Sequence, residues 1–221
     1  FLSCFWAAIN KALKKPGRLG HTVWVRQIRA SLQWLQAFIE HRTGAMQKVY
    51  HLRHHFNEDE PIRIIFDACA WGLGAILYIG LLPLAFFSSC LTVHDARRYG
   101  HQVGDDHGQQ VWEALAMYVA LRTWHSHWRS RRCLLHVTGD SMTALHMLHD
   151  LKAKSPACNK IARDIAMLLG DACYRPDIIS HTPGVANVLA DFLSRWMTPA
   201  KQHMSLPPAL AQASRVFPPK R

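Results

Sequence analysis

The stretch from Ile62 to Val93 constrains the fold of this chain more than any other, because apolar residues run through it with only Arg63 and Asp67 charged. Within it, Ala70 to Phe87 (AWGLGAILYIGLLPLAFF) is 18 uncharged residues long, the lower limit for a membrane span. Gly72, Gly74, Gly80 and Pro83 punctuate it, which breaks a helix but suits turns between strands. Asp67 stands just before it in a strand-like run, and an acid at that edge is costly in lipid. The run therefore reads as three strands, IRIIFDACA, LGAILYI and LPLAFFSSCLTV, in an antiparallel meander that turns at Gly80 to Pro83. No membrane association is expected.

Beyond the meander the texture changes. Residues 94–108 are polar and contain Gly, which predicts a loop, and Gln109 to Trp128 predicts one long helix with Trp112, Leu115, Ala116, Val119 and Ala120 on its core face. CLLHVTGD (133–140) reads as a fourth strand ending at an acid, and Ser141 as the N-cap of a helix to about Leu151. After a break at 154–160, a helix is expected over Ile161–Ala172. A strand and turn follow at 177–184, and a last helix runs from Val185 or Asn187 to Trp196. Later strands joined through helices imply parallel pairing. The expected class is α/β, with a mixed five-stranded sheet of three antiparallel then two parallel strands, flanked by helices. Upstream, Trp24, Ile28, Leu32, Leu35 and Phe38 predict a helix within 21–40, a second helix is expected at 45–56, and the acidic FNEDEP at 56–61 marks a boundary. The division expected is 1–60, 61–196 and a tail, 197–221, with no periodicity and an extended or disordered character.

Lys and Arg number 26 against 15 Asp and Glu, a net charge of +11 that suggests a polyanionic partner, nucleic acid or an acidic membrane face. Residues 61–194 are nearly balanced, and the excess lies in the flanks. The six cysteines are far apart with no zinc-ligand spacing, which predicts reduced thiols in an intracellular protein. His51, His54 and His55 cluster without a Cys or carboxylate at ligand spacing. The chain begins at Phe1 with no signal-peptide pattern and reads as a piece of something longer.

Acids in this frame stand at central places. Asp67 lies inside the first strand, Glu113 early in the long helix, Asp140 at the end of the fourth strand, and Asp191 among Val188, Leu189, Ala190, Phe192 and Leu193. Each alone could be a cap or a surface residue. Together they suggest one shared site, where repulsion is offset by a divalent cation, and oxygen-only ligands favour Mg²⁺ or Mn²⁺.

The order Asp, Glu, Asp, Asp on this element order resembles type 1 ribonuclease H. FDACAWGLGAIL (66–77), EALAMYVAL (113–121) and TGDSMTAL (138–145) resemble the family's acidic strand, glutamate helix and third acid. HTPGVANVLADFLSR (181–195) resembles the block H-x-P-G-x-x-N-x-x-A-D-x-L-S-R of ribonuclease H domains fused to retroelement (retrotransposon) reverse transcriptases. The RQIRASLQWLQAFI stretch faintly resembles the thumb or connection preceding such domains. No Y-x-D-D polymerase motif is present.

The resemblance implies that Asp67, Glu113, Asp140 and Asp191 hold two Mg²⁺ or Mn²⁺ ions for hydrolysis of the RNA strand of an RNA·DNA hybrid, with His181 in proton transfer or product release. It also implies a polymerase domain as partner in a parent polyprotein. Ser141 and Asn187 are candidates for contacts with the nucleic-acid backbone or 2′-hydroxyls, and Gly72 and Gly74 for close approach to substrate or, equally, for a bare turn. Arg129, Arg131 and Arg132, beside Trp124, His125, His127 and Trp128, are candidates for tracking phosphates or a solvated helix end. Two alternatives stand beside this one: a non-catalytic nucleic-acid-binding or connection module, and a transposase-type nuclease. The second closes its triad with a later Glu, and none follows Glu113.

Overall fold

A computed structural model describes residues 2–13, 25–42, 60–130, 133–172, 176–198 and 204–220. The helix expected at 45–56, the histidines at 51, 54 and 55, and both Arg131 and Arg132 lie outside the described residues. The chain forms two compact units, Phe1–Lys48 and Val49–Arg221. The first contains α1 (Leu2–Leu13), which the sequence reading did not anticipate, and α2 (Val25–Ile39), the helix that the apolar spacing predicts. In α2, Trp34 and Phe38, one turn apart, stack with ring centroids 5.2 Å apart.

The second unit is built on the expected meander. β1 (Ile62–Ala68), β2 (Gly72–Ile79) and β3 (Leu82–Cys90) pair antiparallel, and β4 (Leu135–Gly139) and β5 (Ile178–His181) add in parallel beside β1. Gly80, at φ +59°, makes the turn between β2 and β3. The strand order is β5-β4-β1-β2-β3-β6, so the mixed sheet is as expected, plus a sixth strand of two residues, β6 (Ser214–Arg215), parallel to β3.

Alternation along the strands splits the core in two. Ile62, Ile64 and Phe66 of β1, Leu73, Ala75 and Leu77 of β2, and Ala85 and Phe87 of β3 join the helices α4 (Gln109–Thr123), α6 (Met142–Asp150) and α7 (Pro156–Asp171). Ile76 and Phe86 turn to the other face and meet Leu193 of α8 (Val188–Trp196) and Leu210. Among the described residues no helix is long and apolar enough to cross a membrane, and the 18-residue apolar run lies in β2, β3 and their flanks.

Several boundaries differ from the expectations. The polar stretch after β3 contains a helix, α3 (Val93–Tyr99): Thr92 accepts from the Asp95 amide, Asp95 accepts from the Thr92 amide, and Gly100 ends it in the left-handed region. The long helix stops at Thr123. Trp124 leaves helical geometry, and a one-turn α5 (His125–Trp128) follows. Both Trp124 and Trp128 are buried in the core, so neither ring is available for the phosphate-tracking alternative. The break at 154–160 is instead the start of α7, with Ser155 at its N-cap position and Pro156 at its first turn.

The tail is also more ordered than expected over 204–220. Leu210 is fully buried, the Val216 amide donates to the Phe86 carbonyl at 2.9 Å, and the Trp196 indole donates to the Met204 carbonyl at 2.8 Å. The physical reason is the open edge of β3, whose unpaired backbone groups accept a neighbouring strand.

Two glycines set how closely α8 approaches the sheet. A Cβ on Gly72 would lie 2.5 Å from the Ser194 carbonyl oxygen, and one on Gly74 would lie 2.7 Å from the Ala190 carbonyl oxygen. Both face the helix backbone, so the expected role of Gly72 and Gly74 in approaching substrate gives way to packing. Gly74→Ala should destabilise the protein by about 1–3 kcal/mol through overpacking, read as a lower urea midpoint. An unchanged midpoint would show that α8 has room to withdraw.

Candidate active site

The carboxyl ends of β1 and β4 lie side by side because the two strands pair in parallel through Ile65 and Thr138. Asp67 and Asp140 are therefore delivered to one end of the sheet. Glu113 reaches the same place from the second turn of α4. One carboxylate oxygen from each of the three lies within 4.8 Å of the others. Asp67 is 2% exposed and Glu113 6% exposed, while Asp140 is half-buried.

Neutral donors hold two of the acids. The Ser194 hydroxyl lies 2.6 Å from Asp67 Oδ2 and 2.9 Å from the Asp191 carbonyl. Gln109, one turn before Glu113, donates from Nε2 to Glu113 Oε1 at 2.7 Å and to the Ala68 carbonyl at 2.6 Å. Glu113 Oε2 is buried and, among the described residues, has no hydrogen-bond partner of good geometry, although the Ala68 backbone lies near enough to favour the ionised carboxylate. An orphaned buried oxygen beside two further carboxylates is what a hard divalent cation satisfies, and the all-oxygen donor set suits Mg²⁺ or Mn²⁺.

The electrostatics agree. Burial first, then the charges of Asp140 and Asp191, push Asp67 up to about 7, against the opposing hydrogen bond from Ser194. Burial, then Asp67 and Asp140, holds Glu113 well above the ordinary carboxyl range. Packed together without a cation, these groups resist ionisation.

Asp191 does not complete the set. Its Oδ1 accepts from Arg195 Nε at 2.6 Å, one turn along α8, with the side chains 41% and 47% exposed. Its charge is still near enough to raise Asp67. His181 is exposed at the end of β5, in register with Gly139, next to Asp140. Ser141 caps α6, accepting from the Ala144 amide at 3.3 Å, and keeps partial exposure beside Asp140. Arg129 is exposed after α5.

Asn187 corrects its expected role. It is 2% exposed and donates from Nδ2 to the Phe66 carbonyl at 3.2 Å, so it ties the start of α8 to β1 rather than facing substrate. The sequence reading passed over Ser194, Arg195 and Gln109. Asp191/Arg195 and Gln109/Glu113 are i, i+4 pairs, a spacing that signals contact on a helix face.

No protein-family model matches the chain, and no curated protein matches it. The N-terminal ribonuclease H domain of a Mycobacterium tuberculosis protein, solved as a maltose-binding-protein fusion, aligns at 16% identity and a TM-score of 0.47, covering 64% of this chain and 96% of that one. Ribonuclease H1 from Halobacterium salinarum NRC-1 aligns at 17% identity and a TM-score of 0.45, covering 62% and 96%. The foamy viral protease–reverse transcriptase, solved with double-stranded DNA, aligns at 11% identity and a TM-score of 0.33, covering 82% of this chain and 36% of that chain.

The raised Asp67 fixes the sign of a pH effect. Between its ordinary 3.8 and about 7, the folded state holds a proton that the unfolded state has lost. Stability of the metal-free protein therefore falls as pH rises through that window, by a few kcal/mol on the order of 1.4 kcal/mol per unit. Urea unfolding in chelator at pH 5 and pH 7.5 should show the drop. Asp67→Asn should flatten it, and millimolar Mn²⁺ should reverse it at pH 7.5. A slope identical in Asp67→Asn would count against this account.

Proposed function

We propose that this chain is a metal-dependent nuclease of the ribonuclease H type that hydrolyses the RNA strand of RNA·DNA hybrids, as part of a retroelement reverse transcriptase. The single observation that carries the reading is the convergence of Asp67, Glu113 and Asp140, drawn from β1, α4 and the end of β4, around an unpartnered buried oxygen. The block 181–195 supports the retroelement context, with residues 1–60 as a remnant of a thumb or connection and a polymerase domain as partner.

In this reading Asp67, Glu113 and Asp140, with Asp191 beside them, would hold the two divalent ions. When bound, such ions supply positive charge that stabilises the negative charge developing on a phosphodiester under attack. The chain's own residues prepare this. Ser194 fixes the rotation of the Asp67 carboxylate by holding Oδ2, and Gln109 does the same for Glu113 through Oε1. His181, exposed beside the end of β4, takes or passes a proton at an imidazole nitrogen. Ser141 and Arg129, both reachable from solvent, are the remaining candidates for contacts to the nucleic acid, with Arg131 and Arg132 proposed from sequence alone.

A second reading, a non-catalytic nucleic-acid-binding or connection module, is favoured by one observation: Asp191 is paired with Arg195 and stands outside the cluster. Cleavage of a labelled RNA·DNA hybrid separates the two. With Mg²⁺ or Mn²⁺ the wild type should cut the RNA strand, and Asp67→Asn should lose activity on the order of a hundredfold or more. Hybrid binding with no cleavage by either protein would favour the second reading.

A further inference from the structure

The pairing of Asp191 with Arg195 has a mechanical setting that gives it meaning. The main chain around Asp191 is fastened to the sheet on every side. Ser88 Oγ donates to the Leu193 carbonyl at 2.6 Å, Cys69 Sγ to the Ser194 carbonyl at 3.1 Å, and Asn187 Nδ2 to the Phe66 carbonyl at 3.2 Å. The Asp191 amide itself donates to the Asn187 carbonyl at 3.0 Å. With Gly72 and Gly74 seated against the helix backbone, α8 lies too close to the sheet to move further in. What remains free is the side-chain rotation of Asp191, and Arg195 holds it.

That hold is weak by construction. Both side chains are nearly half exposed, and an ion pair in that setting contributes roughly 0.2–1 kcal/mol. The three clustered acids differ: among the described residues no Lys or Arg forms an ion pair with Asp67, Glu113 or Asp140. One part of the site therefore has carboxylates in no direct ion pair, with the Arg195 charge reaching Asp67 only through space, and the other has a cation in contact.

We infer that Arg195 is a releasable counter-ion, holding Asp191 aside so that the site loads cations in two steps. The first ion enters among Asp67, Glu113 and Asp140. The second takes Asp191 from Arg195 by a side-chain rotation, with no movement of α8. This rests on the metal-dependent reading above and assigns Arg195 as a positioning residue, acting through Asp191.

Calorimetric titration of the full chain with Mn²⁺ tests it without any measurement of cleavage. The wild type should take up two ions with unequal affinity. Asp191→Asn should lose the weaker step and keep the tighter one within about twofold. Arg195→Ala should tighten the weaker step by about two- to fivefold, the affinity equivalent of an exposed ion pair, and Arg195→Lys should give less of that gain. Circular dichroism melts establish that each variant is folded. A weaker step that is absent from the wild type, or unchanged or weakened in Arg195→Ala, overturns the inference alone. Equal loss of both steps in Asp191→Asn does the same. No uptake of Mn²⁺ by the wild type overturns the metal-dependent reading and the inference together.

Discussion

The close seating of α8 on the sheet is the constraint from which the rest of the site follows. Asp67, Gly74 and Ser88 lie in one row across β1, β2 and β3. Each meets α8 differently: a carboxylate accepting from Ser194, a missing side chain under Ala190, and a hydroxyl donating to Leu193. The row has polar, absent and polar side chains where a sheet facing a helix ordinarily has apolar ones. Further along the same face Ile76 and Phe86 restore the apolar contact with Leu193. The sheet therefore grips α8 by packing at one end and by hydrogen bonds at the other, and the hydrogen-bonded end is the one that carries the acids.

Burial makes this end costly for the fold in isolation. Asp67 and Glu113 sit in a setting that favours their protonated forms; the Ser194 hydroxyl and the nearby Arg195 charge relieve Asp67, and Gln109 and the Ala68 backbone relieve Glu113. Among the described residues no arginine or lysine forms an ion pair with these two acids, although the chain is strongly basic overall. A ligand of positive charge would relieve such repulsion. The basic excess lies instead in the flanks of the sequence, where it is available to a polyanion.

Much of this was legible in the residues. The meander followed from glycine and proline punctuating an apolar run, and the parallel strands from the helices between them. The acids of β1, α4 and β4 could be placed because each stood at a recognisable point of an element. What failed had physical reasons. α3 was hidden by polar composition, although Thr92 and Asp95 carry a capping pattern. The stop at Trp124 had no glycine or proline to announce it. Asn187 was read as a substrate contact because its place in the block says nothing about burial, and only the structure shows its amide turned inward onto Phe66. The Asp191–Arg195 spacing was visible, but which partner an aspartate chooses, cation or cluster, is decided by rotation and not by sequence.

The two-residue β6 has a consequence for where this domain ends. A strand so short has no stability of its own. It stays in place because Leu210 fills a pocket against Ile76 and Phe86, and because Arg215 lies over Trp196 at 5.0 Å and over Phe217 at 5.6 Å. Trp196 is the last residue of α8, the helix that bears Asp191, Ser194 and Arg195. The C-terminal segment and the helix that bears Asp191 thus share one clasp, and residues 204–217 belong to the same packed unit as the candidate site. A fragment cut after α8 would keep every acid and lose the brace that keeps its helix end folded down.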